Sequence, residues 1–208
     1  MYAIVYQKKT LSGRISQLSY KELCLLVLLA LGIFQFGSGM YIFAKAHLAQ
    51  YLIAIAWDDT LAHKTQQKPW AWADTYPVAK LSLAEQTLYV LAGSSGRTLA
   101  FAPGHMSATS LPGETGNSVI VGHRDSHFRI LKDLQKGDII KVQTSQGQKE
   151  YRVSTLRIAH QSQVHLVQQS EHNLLTLITC YPFDSLLPKP ELRYVVRAQR
   201  IGTHIIET

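Results

Sequence analysis

Charged residues are missing from one long stretch of this chain. Residues 23–44 contain no Lys, Arg, Asp or Glu and are rich in Leu, Ile, Val and Phe. Acidic residues are missing from the first 21 positions, which hold four basic residues. About 20 apolar residues cross a bilayer as a helix, and flanking positive charge marks the cytoplasmic side. We therefore expect a basic cytoplasmic tail over 1–22 and a transmembrane signal anchor over 23–44.

A clear cleavage site is missing at the end of this apolar stretch. Signal peptides have a shorter apolar region followed by a small-residue site such as Ala-x-Ala. A cleaved signal peptide stays open as the alternative, but the length of the stretch and the missing site favour an uncleaved anchor. One membrane-spanning segment would then place the rest of the chain outside the cytoplasm.

Cysteine occurs only twice, at Cys24 and Cys180. Cys24 falls inside the apolar stretch, so a disulfide would take one cysteine out of its environment, and we expect two free thiols. A lone thiol in an exported domain that also contains histidines is a candidate nucleophile. The alternative is a buried structural cysteine. Cys180 ends an apolar run and has polar neighbours, which favours the nucleophile.

The chain also lacks a stripe of Lys and Arg with interleaved aromatic residues. The formal net charge is +7 over 208 residues, and it is unevenly spread because the N-terminal tail is basic. This distribution argues against nucleic acid as a partner. Internal repeats and low-complexity segments are missing too. The length fits one domain of about 130–150 residues with an appendage.

Short apolar and β-branched runs, separated by Gly and Pro turns, fill the chain from residue 79 to its end. Closely spaced strands of this kind predict an all-β barrel or sandwich. One short helical turn is expected over 125–134. The predicted strands are 81–83, 87–91, 118–121, 139–144, 150–158, 174–179 and 194–199.

A helical linker is predicted between the anchor and this domain, over 45–78. Residues 45–68 contain strong helix formers. Leu48, Leu52, Ile55 and Ala56 recur at helical spacing, which predicts that this face packs on the domain or on the lipid surface.

Three side chains with complementary chemistry stand at the ends of predicted strands. His123 closes one run, Cys180 closes another, and Arg193 opens a third. A thiol is a strong nucleophile only when ionised, an imidazole exchanges protons near neutral pH, and a guanidinium keeps its charge. The pattern indicates a cysteine nucleophile, a proton-transfer partner and an oxyanion-stabilising cation.

This ordered set resembles the sortases, which are membrane-anchored cysteine transpeptidases. The resemblance rests on Thr-Leu-Ile-Thr-Cys at 176–180, with Gly122-His123 before it and Arg193 thirteen residues after the cysteine. It is most similar to the sortases of Gram-negative bacteria and next to class D. Four blocks strengthen it, namely Ala-Pro-Gly-His at 102–105, Leu-Pro-Gly-Glu at 111–114, Gly-Asn-Ser-Val-Ile-Val-Gly-His-Arg-Asp at 116–125 and Cys-Tyr-Pro-Phe at 180–183.

The resemblance implies a fold, a reaction and a location. Residues 79–208 would form a closed β-barrel of about eight strands with short helices. Cys180 would attack a Leu-Pro-x-Thr-Gly-like signal at the C-terminus of a secreted protein, form a thioacyl-enzyme and pass the acyl group to an unidentified amine. Thr179 and Val121 would contact the substrate. The single-pass enzyme would sit in the inner membrane, with its catalytic domain in the periplasm.

Two alternatives to transpeptidation stay open at this point. A membrane-tethered cysteine endopeptidase would use the same residues and transfer the acyl group to water. A non-catalytic β-domain that binds a partner protein is the third reading. Arg197 is the rival to Arg193 for the cationic role, and the spacing from Cys180 favours Arg193.

No metal or cofactor is expected. His123, His127 and Cys180 could be grouped as a zinc site, but no fourth ligand is evident. Some sortases bind calcium through acidic residues in the connection that precedes the cysteine strand. Here that connection, 160–173, carries Glu171 as its only carboxylate, too few oxygens for calcium.

Overall fold

The computed structural model describes residues 19–185 and 190–202. The chain divides into two compact units, residues 1–47 and 48–208. One helix, α1, runs over Tyr20–His63 and contributes residues to both units. Residues 1–18 of the predicted cytoplasmic tail lie outside the described residues.

The part of α1 in the first unit is long and apolar enough to cross a membrane. An 18-residue window in this helix has a mean hydropathy of 2.1, and none of that window is buried. This sign of membrane anchoring rests on length and composition, and a signal sequence shares it. The uncleaved anchor stays a prediction.

The part of α1 in the second unit packs against the barrel through a face that coincides only in part with the predicted one. Ala56 is buried as predicted, whereas Leu48 is 56% exposed and Ile55 is 39% exposed, so the predicted stripe is correct only in part. Because α1 is apolar on nearly every side, periodicity does not identify the packed face. The residues of this helix that are buried are Ala49, Ile53, Ala56, Trp57 and Thr60.

Eight strands close into a barrel within the described residues 77–185 and 190–202. The strands follow the Gly- and Pro-bounded runs of the sequence, and 139–144 is predicted to the residue. Their bounds are β1 Pro77–Leu83, β2 Gln86–Ala92, β3 Gly104–His105, β4 Asn117–Val121, β5 Ile139–Thr144, β6 Gly147–His160, β7 Leu174–Tyr181 and β8 Leu192–Arg200.

The strand order around the barrel is β1-β2-β3-β4-β7-β8-β6-β5, and β5 pairs with β1 to close it. The pairs β2–β3 and β4–β7 are parallel, and the other pairs are antiparallel. The sequence missed β3, since two residues are too few to show alternation. In the described part of the chain, three short helices lie between strands, namely α2 Gly96–Leu99 and two 3₁₀ helices at Arg129–Asp133 and Val164–Val167.

Alternation along β7 and β8 separates an interior face from an exterior face. Leu175, Leu177 and Val196 are fully buried in the main core inside the barrel. Ile178 and Val195 instead pack with a small exterior cluster beneath the 3₁₀ helix Val164–Val167. The exterior face of β7 and β8 is therefore floored by apolar side chains and partly covered by the connection between β6 and β7.

Candidate active site

Cys180 and Arg193 are directly paired across β7 and β8. Side chains of directly paired antiparallel residues point to the same face, with Cβ atoms about 5 Å apart. Both side chains are partly buried, and Cys180 is a free thiol. The pairing therefore brings the thiol and the guanidinium, thirteen residues apart in the sequence, together at one end of the barrel.

His123 follows the end of β4, the strand that runs parallel to β7 on its other side. Val121 pairs with Ile178, and the Gly122 N–H donates to the Ile178 carbonyl at 3.2 Å. Continuing this register by two residues places His123 beside Cys180. The imidazole is exposed, so it can meet a substrate from the solvent side.

The two predicted substrate-contact residues lie on opposite faces. Val121 is level with Ile178 and shares the exterior face with Cys180. Thr179 pairs with Tyr194, which packs on the main core. Thr179 itself is 2% exposed. The Thr179 hydroxyl donates to the Gly122 carbonyl at 2.7 Å. This contact links β7 to the residue before His123, and a contact of Thr179 with substrate stays a prediction.

The Arg193 guanidinium is held by acceptors on both sides. Its Nη1 donates to the carbonyls of Pro190 at 2.5 Å and Leu192 at 3.0 Å, and its Nη2 donates to Gln161 Oε1 at 3.1 Å. Arg197 is paired with Thr176. It lies four residues from Arg193 along β8, a distance of about 13 Å. The register therefore places Arg193, and not Arg197, opposite Cys180.

Arg124 is a site residue that the sequence reasoning did not assign. Its side chain is 7% exposed, and its guanidinium donates from Nη1 to the Pro182 carbonyl at 2.8 Å and from Nη2 to the Ser185 carbonyl at 2.5 Å. Its Nε lies 3.3 Å from Asp125 Oδ1. One side chain next to His123 thus fixes the segment that follows Cys180. The sequence signal that could have indicated this role was the position of Arg124 directly after His123.

Asn117 is a second such residue, fully buried at the start of β4. Its Nδ2 donates to the carbonyls of Leu166 at 3.1 Å and Gln168 at 3.0 Å, and its Oδ1 accepts from the Thr176 hydroxyl at 2.7 Å. The amide therefore fastens the β6–β7 connection over the exterior face. A single Asn in a strand gives no sequence signal for this role.

Two histidines, His105 in β3 and His127 after β4, have a lowered pKa. Burial lowers the pKa of His105, whose Nε2 lies 2.9 Å from the Ser110 carbonyl. Burial also lowers the pKa of His127, and the neighbouring His123 lowers it further. His127 is therefore part of the electrostatic surroundings of His123.

The comparisons with known proteins agree with this geometry. A family model described as a sortase domain matches residues 80–201. This chain belongs to the sortase family. It is 31% identical to Sortase D of Bacillus subtilis strain 168 over 115 residues, which are 55% of this chain. The matched region spans 58% of that relative's length.

Solved structures of sortases share the barrel. The pilus-related Sortase C of Group B Streptococcus matches with a TM-score of 0.55 and 29% identity, over 61% of this chain and 68% of that one. The Clostridium perfringens Sortase D5 transpeptidase matches in fold with a TM-score of 0.60 and 22% identity, over 75% of this chain and 99% of that one. The predicted family and closed β-barrel are confirmed, and the relative supports class D. Membership of the Gram-negative class stays a prediction.

Proposed function

We propose that this sortase is a membrane-anchored cysteine transpeptidase with Cys180 as nucleophile, His123 as proton-transfer partner and Arg193 as oxyanion-stabilising cation. The observation that carries the proposal is the direct pairing of Cys180 with Arg193, with His123 at the end of the adjacent parallel strand. Nucleophile, acid and fixed cation on neighbouring strands form the minimum set for acyl transfer through a thioester.

Acylation uses the three side chains in sequence. The Cys180 thiolate attacks the carbonyl carbon of the scissile peptide bond and forms a C–S bond. The negative charge moves to the carbonyl oxygen, where the Arg193 guanidinium stabilises it. Collapse of this intermediate breaks the C–N bond, and His123 in its protonated form gives its proton to the departing amine. A thioester on Cys180 remains.

Resolution of the thioester reverses these roles. An incoming amine gives a proton to neutral His123 while its nitrogen attacks the thioester carbon. The C–S bond then breaks and the thiolate is restored, so protons and charge balance over the cycle. Water in place of the amine would give a carboxylate, which is the endopeptidase outcome.

We propose a substrate with a Leu-Pro-x-Thr-Gly-like signal at the C-terminus of a secreted protein. The position of Ile178 supports this, because it is a partly buried apolar side chain on the exterior face, two residues before Cys180, and it offers an apolar contact for Leu or Pro. The apolar helix and the basic residues before it support an inner-membrane anchor with the barrel in the periplasm. The motif blocks around His123 support a Gram-negative source.

The test uses the full chain purified in detergent with a fluorogenic Leu-Pro-x-Thr-Gly peptide. Cleavage is expected to fall by about 1,000-fold or more in Cys180→Ala. The matched control is Cys24→Ala, which removes the chain's other thiol and leaves cleavage unchanged. Full turnover by Cys180→Ala would refute the mechanism.

Adding amines separates transfer from hydrolysis. Candidate amines such as a glycine oligomer and an N-terminal lysine peptide are supplied, and the products are weighed by mass spectrometry. A ligated product supports transpeptidation. The free carboxylate with every amine would make the protein an endopeptidase that uses the same residues.

A further inference from the structure

A small pocket on β6 and β8 is lined mainly by hydrogen-bonding groups. Its volume is about 120 Å³, and its lining residues are Thr155, Arg157, Val195 and Arg197. Thr155 pairs with Arg197, and Arg157 pairs with Val195 of the exterior cluster, so the four side chains share the exterior face. Two guanidinium groups and one hydroxyl around a space of this size make a basic pocket.

The two arginines of this pocket have no acidic partner. Within residues 19–185 and 190–202, neither Arg157 nor Arg197 forms a salt bridge. Glu150 in β6 and Glu191 just before β8 each form a salt bridge with another residue. The positive charge of Arg157 lowers the pKa of Arg197, after the larger effect of burial. Repulsion between the two guanidinium groups therefore raises the free energy of the folded domain.

Arg197 also has a buried donor without an acceptor. Its Nε has no hydrogen-bond partner in the described part of the chain. A buried donor that stays unpaired costs free energy, and so does a pair of like charges. An anion with several oxygens would reduce both costs, because it accepts a hydrogen bond and offsets the repulsion.

The groups around the pocket fit a phosphate better than a carboxylate. A guanidinium is a planar fork whose paired N–H donors match two oxygens of either anion. The two oxygens of a carboxylate are both used by one such fork. A phosphate has further oxygens, which can accept from the second guanidinium and from the Thr155 hydroxyl. Phosphate is therefore the class of ligand that this pocket suits.

Both arginines also contact the connection between β6 and β7. Arg157 Nη2 lies 3.4 Å from His165 Nε2, and Arg197 Nη2 donates to the Leu166 carbonyl at 3.4 Å. His165 and Leu166 belong to the 3₁₀ helix Val164–Val167, and Leu166 is buried in the exterior cluster. An anion between the guanidinium groups would fix the two side chains that hold this helix.

We propose that Arg157 and Arg197 bind a phosphate group and that this group holds the β6–β7 connection on the exterior face. Inorganic phosphate and the headgroup of a phospholipid present the same oxygens, so either is a source. The same face carries Cys180 and Arg193, which makes the pocket a site where an anion stabilises the surroundings of the candidate active site. The binding itself does not depend on which reaction the protein catalyses.

The first test measures the melting temperature of the full chain in detergent. Inorganic phosphate is compared with chloride at equal ionic strength and pH. A rise that saturates near about 1 mM phosphate is expected, because a ligand that binds only the folded state stabilises it. The rise is expected to be lost in Arg157→Gln and in Arg197→Gln. The matched control is Arg152→Gln, which removes an exposed arginine of β6 and keeps the rise.

Two outcomes of this measurement would overturn the proposal. The first is no rise in the unmodified chain. The second is the same rise in every variant, which would be the general effect of phosphate as a stabilising salt. Circular dichroism checks that each variant folds, and Arg157→Gln decides alone if Arg197→Gln does not fold.

Hydrogen exchange, followed by mass spectrometry, tests the effect on the connection and the source of the phosphate. Saturating inorganic phosphate is expected to slow exchange over residues 164–168 by about tenfold, but not in Arg157→Gln. Without free phosphate, nanodiscs of phosphatidylcholine are compared with nanodiscs of phosphatidylcholine and phosphatidic acid in equal parts. Slower exchange with phosphatidic acid would assign a lipid headgroup, and slower exchange with inorganic phosphate alone would assign the free anion. Unchanged exchange with both probes would overturn the proposed role in holding the connection.

Discussion

The Thr179 hydroxyl donates to the Gly122 carbonyl at 2.7 Å and so ties the strand that carries Cys180, the proposed nucleophile, to the residue before His123. Thr179 is itself the residue before Cys180. The contact lies on the interior side of the barrel wall, whereas Cys180 lies on the exterior face. It holds the backbones of both residues at a fixed separation, which is what a shared proton requires of a thiol and an imidazole.

Replacing Thr179 with Val tests this link, because Val keeps the shape and removes the hydroxyl. We expect kcat to fall by about tenfold, since a small displacement of reacting groups is costly. The free energy of unfolding should fall by about 1 kcal/mol, the contribution of one hydrogen bond. Thr87→Val, at an exposed position of β2, is the control. If both variants turn over peptide alike, the hydroxyl does not position the site.

Arg124→Met is expected to loosen the segment after Cys180. The change frees the Pro182 and Ser185 carbonyls from the guanidinium that holds them. Because the two bonds fix geometry beside the nucleophile, kcat should fall by about tenfold while KM changes less. Steady-state kinetics with the fluorogenic peptide measures both quantities.

Arg124→Lys and Arg129→Met are the companions to that variant. Lysine keeps the charge but not the planar fork of donors. The kcat of Arg124→Lys should therefore lie between that of the unmodified chain and that of Arg124→Met. Arg129 is exposed on the 3₁₀ helix nearby, and its loss should leave kcat unchanged. A rise in KM alone for Arg124→Met would mean that this residue serves substrate binding and not the position of Cys180.

Asn117→Ala is expected to destabilise the domain. The change leaves the Thr176 hydroxyl and the Leu166 and Gln168 carbonyls of the β6–β7 connection without their buried partner. Removing one partner from a buried hydrogen-bond set costs about 2 kcal/mol. Chemical denaturation monitored by tryptophan fluorescence measures the loss. Asn173→Ala is the control, because its buried Oδ1 already has no hydrogen-bond partner among the described residues. Equal losses in the two variants would contradict the role of Asn117.

The stability of the domain should fall in acid through His105. Its folded pKa lies below the ordinary value of 6.5 because of burial, so the unfolded chain takes up protons first as the pH falls. The stabilisation is complete above 6.5 and is lost as the pH drops towards the folded pKa. The free energy of unfolding, measured from about pH 8 to about pH 5, should therefore decrease.

His105→Gln should flatten that pH dependence without removing it. His127 also has a lowered pKa, so it contributes the same sign and leaves a residual slope. His172→Gln, at an exposed position, should keep the full slope. An unchanged slope in His105→Gln would mean that His105 does not carry the acid sensitivity.

Local sequence predicted the elements of the barrel where the signal was long enough. Alternating and β-branched runs between Gly and Pro turns predicted seven of the eight strands, and the motif around Cys180 predicted the family. It failed at β3, which has two residues, and in part at the packed face of α1, where apolar residues on nearly every side hide the periodicity. Both features depend on contacts with residues that are distant in the sequence, so local patterns do not predict them.

The sequence by itself determined which chemical groups are present and that each stands at a strand end, because residue type and strand propensity are local properties. Only the tertiary structure decided that β8 pairs with β7 so that Arg193, and not Arg197, faces Cys180. The same holds for the buried Arg124 and Asn117, which bind carbonyls 49 to 61 positions away. Such contacts depend on register and barrel closure, which no stretch of the chain specifies alone.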